Sequence, residues 1–252
     1  MNRRFFVSPD AISQDRVTFD NASSHQLCHV LRMRPGMHVT ALDNSGTEYE
    51  VELITVDRNG VIGRVCGKQM AQTESRVHLT LYQCVLKGER FEWVLQKGTE
   101  LGAFAFVPVI SERTIVQNPY DVEKKRSRWE RIIAAAAGQS RRGRLPVLGA
   151  PLLLDKALRQ SIEKHTVSLI PWENAQAQNL ADVLRAYEVP PLHIGLFIGP
   201  EGGFDADEIA LARQYGLQIV TMGPRILRAE TAATVATAII IYEMEALRKP
   251  EI

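Results

Sequence analysis

Cysteines are few and unpatterned. Cys28, Cys66 and Cys84 stand far apart, with no C-x-x-C pair. Neither a zinc site nor a disulfide framework is expected, and all three read as small buried hydrophobes. The six histidines form no H-E-x-x-H pattern, and only His25 and His29 share a helical spacing. One such pair without a third ligand makes no metal centre, so no metal is expected. Long apolar runs are also missing. The longest, around Ala232–Tyr242, is broken by threonines and falls short of the ~18 residues a membrane span needs. The start, MNRRFFVSPD, is basic, but Pro9 and Asp10 end its apolar run too early for a signal peptide. The expectation is a cytoplasmic protein with no membrane partner. Neither G-x-G-x-x-G nor G-x-x-x-x-G-K-[ST] occurs, so the dinucleotide and nucleotide-phosphate fingerprints are absent.

Net charge is scarce too. Thirty basic residues against 29 acidic leave +1, and bulk attraction to nucleic acid is excluded. The charge is unevenly spread, however. Residues 123–144 hold eight basic and two acidic residues, which makes them either a local anion-binding element or a solvated helix face. With 252 residues, 45% of them hydrophobic, the chain can bury one large core or two smaller ones. A disordered chain would have fewer apolar residues and more net charge.

Residues 1–72 read as short strands and turns. VTFD, HVTALD, TEYEVELITV and GVIGRVC alternate or run apolar at strand length. Asn59-Gly60 predicts a hairpin, and one short helix is expected between Ser23 and Arg34, capped by Ser23 or Ser24. Many short strands with little helix predict a small β-barrel. The polar AQTES reads as a link, and from residue 73 strands and helices alternate. Strands are expected at VHLTLYQCVL, AFVPVIS, HTVSLIPW, LHIGLFIG and LQIVTMG. Helices are expected over residues 90–102, 121–140, 205–216 and 228–249. Trp129, Ile132, Ile133 and Ala136 sit at core-facing spacing on the second, and Asp205 with Glu208 forms a capping box on the third. This alternation predicts a parallel sheet covered on both faces.

Two strands near the C-terminus end in loops of one kind, Ile198-Gly-Pro-Glu-Gly-Gly-Phe204 and Met222-Gly-Pro-Arg-Ile-Leu-Arg-Ala-Glu-Thr-Ala232. In open α/β sheets ligands bind beyond the carboxyl ends of strands, and glycines there let main-chain groups approach closely. The walls, Ile198, Met222, Ile226 and Leu227, are apolar and fixed charges are few. That suits a planar base such as adenine and suits a triphosphate poorly. Plain turn chemistry before a helix is the alternative for either loop alone.

IGPEGGF and GPRILRAETA closely resemble signatures of the 16S ribosomal RNA (uracil-N3) methyltransferase family, a branch of the knotted SPOUT methyltransferases. RRFFV, HQLCHVLRMRPG (25–36), KGERFEWVLQKGTELG (87–102) and GQSRRGRLP (138–146) are similar to further segments of that family in the same order. Ala229, Gly98, Gly138 and Val147 depart from its usual residues. The resemblance implies an α/β fold: a PUA-like β-barrel over 1–72 that binds RNA, then a C-terminal parallel-sheet domain over 73–252 with a deep trefoil knot, cofactor site and dimer interface.

It also implies S-adenosylmethionine as cofactor. Pro171, Ile198, Gly199, Glu201, Gly202, Met222, Gly223, Ile226, Leu227, Arg228, Thr231 and Ala232 would bind it, with the strand end Leu169-Ile170-Pro171 as a third wall. The partner would be 16S rRNA or the small subunit. Uracil N3–H is a weak acid, so a base or a cation that stabilises the uracil anion lowers the barrier. Arg228 is the candidate cation, and Glu201 or Glu230 the candidate base. Arg3, Arg4, Arg32, Arg34, Arg141, Arg142 and Arg144 are expected to hold RNA, while Lys124, Lys125 and Arg128 read as a solvated face with Arg126–Glu130 as an i,i+4 pair. Ala232, Ala236 and Ile240, with Ala233 and Thr237 beside them, form a small-residue ridge that permits close helix approach, either in the chain's own core or, as the resemblance implies, across a homodimer. A ribose 2′-O-methyltransferase of the same class and a non-catalytic RNA-binding or assembly factor are the competing functions.

Overall fold

A computed structural model describes residues 3–57, 60–173 and 178–246. The chain divides into two compact units: residues 1–74 with 137–145, and residues 75–136 with 146–252.

The first unit contains β1 (Arg4–Phe6), β2 (Ile12–Ser13), β3 (Arg16–Phe19), α1 (Asn21–His25), β4 (His38–Leu42), β5 (Thr47–Asp57) and β6 (Gly60–Met70). They form one sheet in the order β1-β4-β5-β6-β3-β2. Every pairing is antiparallel except β1 with β4. Alternate residues point inward, so Val17, Phe19, Val39, Ala41, Val51, Leu53 and Val61 make one core with Phe5 and Leu27. Asp57 pairs with Gly60, and Asn59 of the expected hairpin turn lies outside the described residues.

The short helix differs from expectation at its start. Asp20 caps α1, accepting the Ser23 N–H at 2.7 Å, and a π-helical turn over Gln26–Val30 continues it. A carboxylate is free to serve as cap because Ser24 is buried elsewhere. Its hydroxyl donates to the Phe19 carbonyl and accepts the Val61 N–H, which ties the helix to β3 and β6.

The AQTES segment does more than link. The Glu74 carboxylate accepts Arg142 Nη2 at 2.8 Å and Nε at 3.2 Å, together with the Gly143 N–H at 2.8 Å. Thr73 Oγ1 donates to the Arg141 carbonyl at 2.6 Å, and Asn44 Oδ1 accepts the Leu145 N–H at 2.6 Å. A Cβ on Gly143 would stand 2.3 Å from that of Ala71. Residues 137–145 therefore group with the first unit, a return of the chain that no boundary near residue 72 contains.

The second unit contains β7 (His78–Cys84), α2 (Arg90–Glu100), β8 (Ala105–Ile110), α3 (Pro119–Glu123), α4 (Arg126–Gln139), β9 (Val147–Leu148), β10 (Leu152–Leu153), α5 (Leu154–Lys164), β11 (Val167–Pro171), α6 (Leu180–Arg185), β12 (His193–Ile198), α7 (Ala206–Gln214), β13 (Gln218–Val220) and α8 (Ala229–Ala246). The last turn of α4 belongs to the first unit. The sheet runs β10-β8-β7-β12-β11-β13, with β9 also on β8, and every pair is parallel.

Both faces are covered, as the alternation predicts. Leu79, Leu81, Phe106, Leu169 and Leu196 face α2, α4, α6 and α8, while Tyr82, Cys84, Val107, Ile170 and Phe197 face α5 and α7. The capping box of α7 forms between Asp205 and Glu208. The helix expected over 121–140 is two helices, parted at Lys124–Lys125. Arg126 turns back to Glu123 and donates to the carbonyls of Leu148 and Gly149 at 2.9 and 3.0 Å, tertiary bonds to which periodicity is blind. Trp129, Ile133 and Ala136 are buried, with Ile132 packed beside them. Among the described residues no helix is long and apolar enough to cross a membrane.

Candidate active site

Strand order creates the site. The chain leaves β12 and returns as β13 on the far side of β11, so the carboxyl ends of three neighbouring strands, at Ile198, Pro171 and Val220, open side by side. A crevice at such a switch is where α/β sheets bind ligands. The loop after β12 folds through a turn in which the Gly203 N–H meets the Pro200 carbonyl at 3.0 Å. Gly203 holds φ +67°, and Gly223 in the second loop holds φ +99°, a left-handed conformation that side-chain-bearing residues resist. Arg113 Nη1 pins the Gly202 carbonyl at 2.8 Å, and Trp172 Nε1 donates to the Phe204 carbonyl at 3.3 Å.

The loops enclose two adjoining cavities. The larger, about 420 Å³, is lined by Arg90, Pro171, Glu173, Ile198 through Phe204, Ile226 through Glu230, and Ala232. The smaller, about 80 Å³, adds Trp172, Thr221, Met222, Gly223 and Arg225. Pro171, Ile226, Leu227 and Ala232 wall both. Of the expected cofactor residues, Ile198, Gly199, Glu201, Gly202 and Arg228 therefore come together in the larger cavity, and Met222 and Gly223 in the smaller. Thr231 is exposed and lies on neither wall. Leu169 and Ile170 are fully buried, so Pro171 alone supplies the third wall at that strand end. The larger cavity combines apolar sides from Pro171, Ile198, Ile226 and Leu227 with the charged Arg90, Glu173, Glu201, Arg228 and Glu230, so the expectation of few fixed charges does not hold there. A Cβ at Gly203 would stand 2.6 Å from Glu173 Oε1.

Three charged groups converge at the mouth. Glu201 Oε1 accepts the Lys87 N–H at 2.9 Å and Arg90 Nη1 at 3.3 Å. Arg90 Nε also lies 3.9 Å from Glu230 Oε1. The other Glu230 oxygen, Oε2, is buried with no hydrogen-bond partner. Arg228 is exposed, its carbonyl accepts the Ala232 N–H at 2.8 Å, and its guanidinium makes no hydrogen bond or ion pair among the described residues. Arg90, Lys87, Trp172 and Glu173 are site residues that sequence patterns miss. KGER follows β7, and only the pairing of β7 with β12 puts it beside the glycine loop.

The arginines of the first unit divide by environment. Arg3, Arg32, Arg34, Arg141 and Arg144 are exposed. Arg144 leans on the Ser45 carbonyl, Nε at 3.0 Å. Arg4 is mostly covered and paired with Glu48 at 2.7 Å, and Arg142 is 4% exposed and held by Glu74. Those two guanidiniums are spent inside their own unit. Of the expected helix-face cations, Lys124 and Lys125 fall in the break between α3 and α4, with Lys124 on Asp121; Arg128 on α4 pairs with Glu92 of α2, and Arg126 reaches Glu130 as the i,i+4 spacing predicts. Of the two readings of the small-residue ridge, the first holds. Ala233, Ala236, Thr237 and Ile240 are buried in the core of their own unit, because an all-parallel sheet needs an apolar helix face laid on it. The large apolar side chains that α8 leaves exposed are Val235 and Tyr242.

Known proteins match this arrangement along the whole chain. A model described as an RNA methyltransferase domain matches residues 73–241, and one described as an RNA methyltransferase PUA domain matches residues 19–66. Ribosomal RNA small subunit methyltransferase E of Synechocystis sp. is 35% identical over 94% of this chain and 77% of its own length. The protein of that name from Bacillus subtilis is 31% identical over 89% of each chain. The crystal structure of a ribosomal RNA small subunit methyltransferase E from Neisseria gonorrhoeae, bound to S-adenosyl methionine, superposes with a TM-score of 0.84 at 32% identity, over 94% of this chain and 96% of that one. With its glycine loops, its parallel sheet and its N-terminal RNA-methyltransferase PUA region, the chain belongs to the ribosomal RNA small subunit methyltransferase E family.

Proposed function

We propose that this protein transfers a methyl group from S-adenosylmethionine to N3 of a uridine in 16S ribosomal RNA. Membership of the family carries the coarser statement: the chain is an S-adenosylmethionine-dependent methyltransferase of small-subunit ribosomal RNA. The choice of N3 over the ribose rests on the resemblance of IGPEGGF and GPRILRAETA to the uracil-N3 methyltransferase signatures, and Glu230, whose Oε2 is buried and unpartnered in the lining of the larger cavity, is the base that would serve it.

The glycine loops and Pro171 would hold the adenosine by main-chain groups and apolar contact. When bound, the donor supplies a methyl carbon on a positively charged sulfur. The protein must take a proton from N3 and hold the resulting anion in line with that carbon. Glu230 has an oxygen free to accept the proton. Glu201 is committed to the Lys87 N–H and Arg90 and serves as the clamp that joins the loop after β12 to the start of α2. A positioned base contributes about 10²–10⁴-fold.

Arg3, Arg32, Arg34, Arg141 and Arg144, all exposed, are the cations proposed to hold RNA phosphates, and Arg4 and Arg142 leave that set. The first unit is read as a PUA-like β-barrel, and the loops of the second as part of a trefoil knot. A second copy is proposed to cover Val235 and Tyr242 on α8, and a monomeric mass in solution would remove it. The deciding experiment is mass-spectrometric mapping of 16S rRNA from cells lacking the protein, before and after treatment with purified protein and cofactor. N3-methyluridine appearing at one site supports the proposal. A methylated ribose supports the 2′-O alternative, and no modification supports a non-catalytic binding role.

A further inference from the structure

We propose that Arg90 is a catalytic residue that stabilises the uracil anion, with Glu201 and Glu230 holding its guanidinium ready for that task. This rests on the N3-uridine reading above. Arg90 is the first helical residue of α2, where the helix macrodipole disfavours a cation. No side chain caps that helix end. Two carboxylates offset that cost and in doing so aim the group at the cavity. The guanidinium lines the larger cavity and is held from two sides: Nη1 donates to Glu201 Oε1 at 3.3 Å, and Nε lies 3.9 Å from Glu230 Oε1. Glu201 comes from the glycine loop after β12 and Glu230 from the first turn of α8, so one cation reads the position of both. Nη2 donates no hydrogen bond among the described residues, and the side chain is 46% exposed.

Arg228 carries the same charge on the same cavity, but it is exposed and its guanidinium makes no hydrogen bond or ion pair among the described residues. A cation already oriented when charge develops stabilises a transition state more than one that must first be ordered. The step balances. N3 gives its proton to Glu230 and its electron pair forms the bond to the methyl carbon. The S–CH₃ pair stays on sulfur, and the negative charge that builds on the uracil oxygens meets the Nη2 hydrogens of Arg90. The carboxyl then loses its proton to solvent.

The test compares wild type, Arg90→Gln, Arg90→Lys and Arg228→Gln on small-subunit RNA carrying either uridine or 5-fluorouridine. Fluorine acidifies N3–H, so the anion needs less help. Arg90→Gln is expected to slow single-turnover methyl transfer on uridine RNA by about 100-fold and on 5-fluorouridine RNA by about tenfold or less, with Arg90→Lys between. Arg228→Gln is expected to lose the same factor on both RNAs. Cofactor and RNA affinities of Arg90→Gln, by calorimetry, are expected to stay within about threefold of wild type, as for a group acting mainly in the transition state.

Equal losses of Arg90→Gln on the two RNAs would mean a purely structural arginine, and a substrate-dependent loss in Arg228→Gln would move the role there. If Arg90→Gln melts below the assay temperature, Arg90→Lys is judged by the same ratio. Mapping the wild-type product separates the two claims. A methyl anywhere but N3 overturns the reading of the reaction, whereas N3-methyluridine with a rapid Arg90→Gln overturns only the role of Arg90.

Discussion

Glu74 grips Arg142 along one edge of the guanidinium, Oε2 to Nη2 at 2.8 Å and Oε1 to Nε at 3.2 Å, across 68 residues of sequence. Burial pushes the Glu74 carboxyl up. The Arg142 charge and the N–H groups of Gly143 and Arg144 outweigh it and hold the group below the usual carboxylate range. Arg142→Ala strands a largely buried carboxylate and is expected to cost about 3 kcal/mol in denaturant titration. Because the folded value is depressed, this stabilisation is present above the ordinary value of 4.5 and is lost as pH falls through the lowered one. Wild type should lose stability more steeply than Glu74→Gln below that point.

RNA binding separates the exposed arginines from the buried one. Arg34→Glu with Arg141→Glu should weaken RNA binding and reduce the slope of log affinity against log salt by about 2, one for each lost phosphate contact. Arg142→Lys, in its folded state, should leave that slope unchanged. Filter binding across a salt series measures both, and an unaltered slope in the double variant would remove Arg34 and Arg141 from the interface.

His165 makes folding stability depend on mild acid. Its Nε2 lies 3.0 Å from the Tyr82 hydroxyl. Burial, with the charges of His193 and Lys164 behind it, lowers its pKa from 6.5 to about 4. Between those values the unfolded chain binds the proton and the folded one does not. Stability is therefore fully present above 6.5 and falls as pH drops toward 4. The loss should be about 2 kcal/mol, reduced from the full linkage value because the ring keeps some contact with solvent. Melting curves from pH 7 to 4 should show it, and His165→Phe should flatten that part of the profile.

Gly223 is required for its backbone rather than for space. Nothing stands within 4 Å of a Cβ placed there, yet φ is +99°. Gly223→Val should disturb the loop and weaken S-adenosylmethionine binding about tenfold or more, a cost near 1–2 kcal/mol for a strained backbone. Calorimetric titration with the cofactor is the measurement, and wild-type affinity would mean that the loop does not touch it.

Glu230→Gln keeps the shape of the side chain and removes its basicity. Single-turnover methyl transfer should fall by about 10²-fold or more with cofactor affinity little changed. Glu201→Gln should release the Arg90 guanidinium that it positions and slow the rate less than Arg90→Gln does, again with cofactor affinity little changed.

The parallel sheet was legible from local pattern. Apolar runs at strand length, the Asp205–Glu208 capping box and the glycines after Ile198 and before Pro224 depend on neighbours a few residues away, and the structure keeps them all. The amphipathic spacing of Leu154, Ala157, Leu158 and Ser161, buried on α5, was also present in the residues, but the helix starts at an uncapped Leu153–Leu154 step that carries no start signal. Many residues that line the two cavities could be named in advance, because two glycine-bearing loops at strand ends announce themselves in one dimension.

What the chain could not announce is which distant segments meet. Arg90 is about 110 and 140 residues from its two carboxylates, and only the order β7-β12-β11-β13 brings KGER to the glycine loops. The same holds for the arginines. Residue type made Arg142 and Arg34 equivalent, and burial against Glu74 made one a structural tie while the other stayed in water. Local chemistry thus determined the elements and the kind of pocket. Tertiary packing alone decided which charges are paired inside and which remain to act, because the energy of a charge is set by the neighbours and solvent around it rather than by its place in the chain.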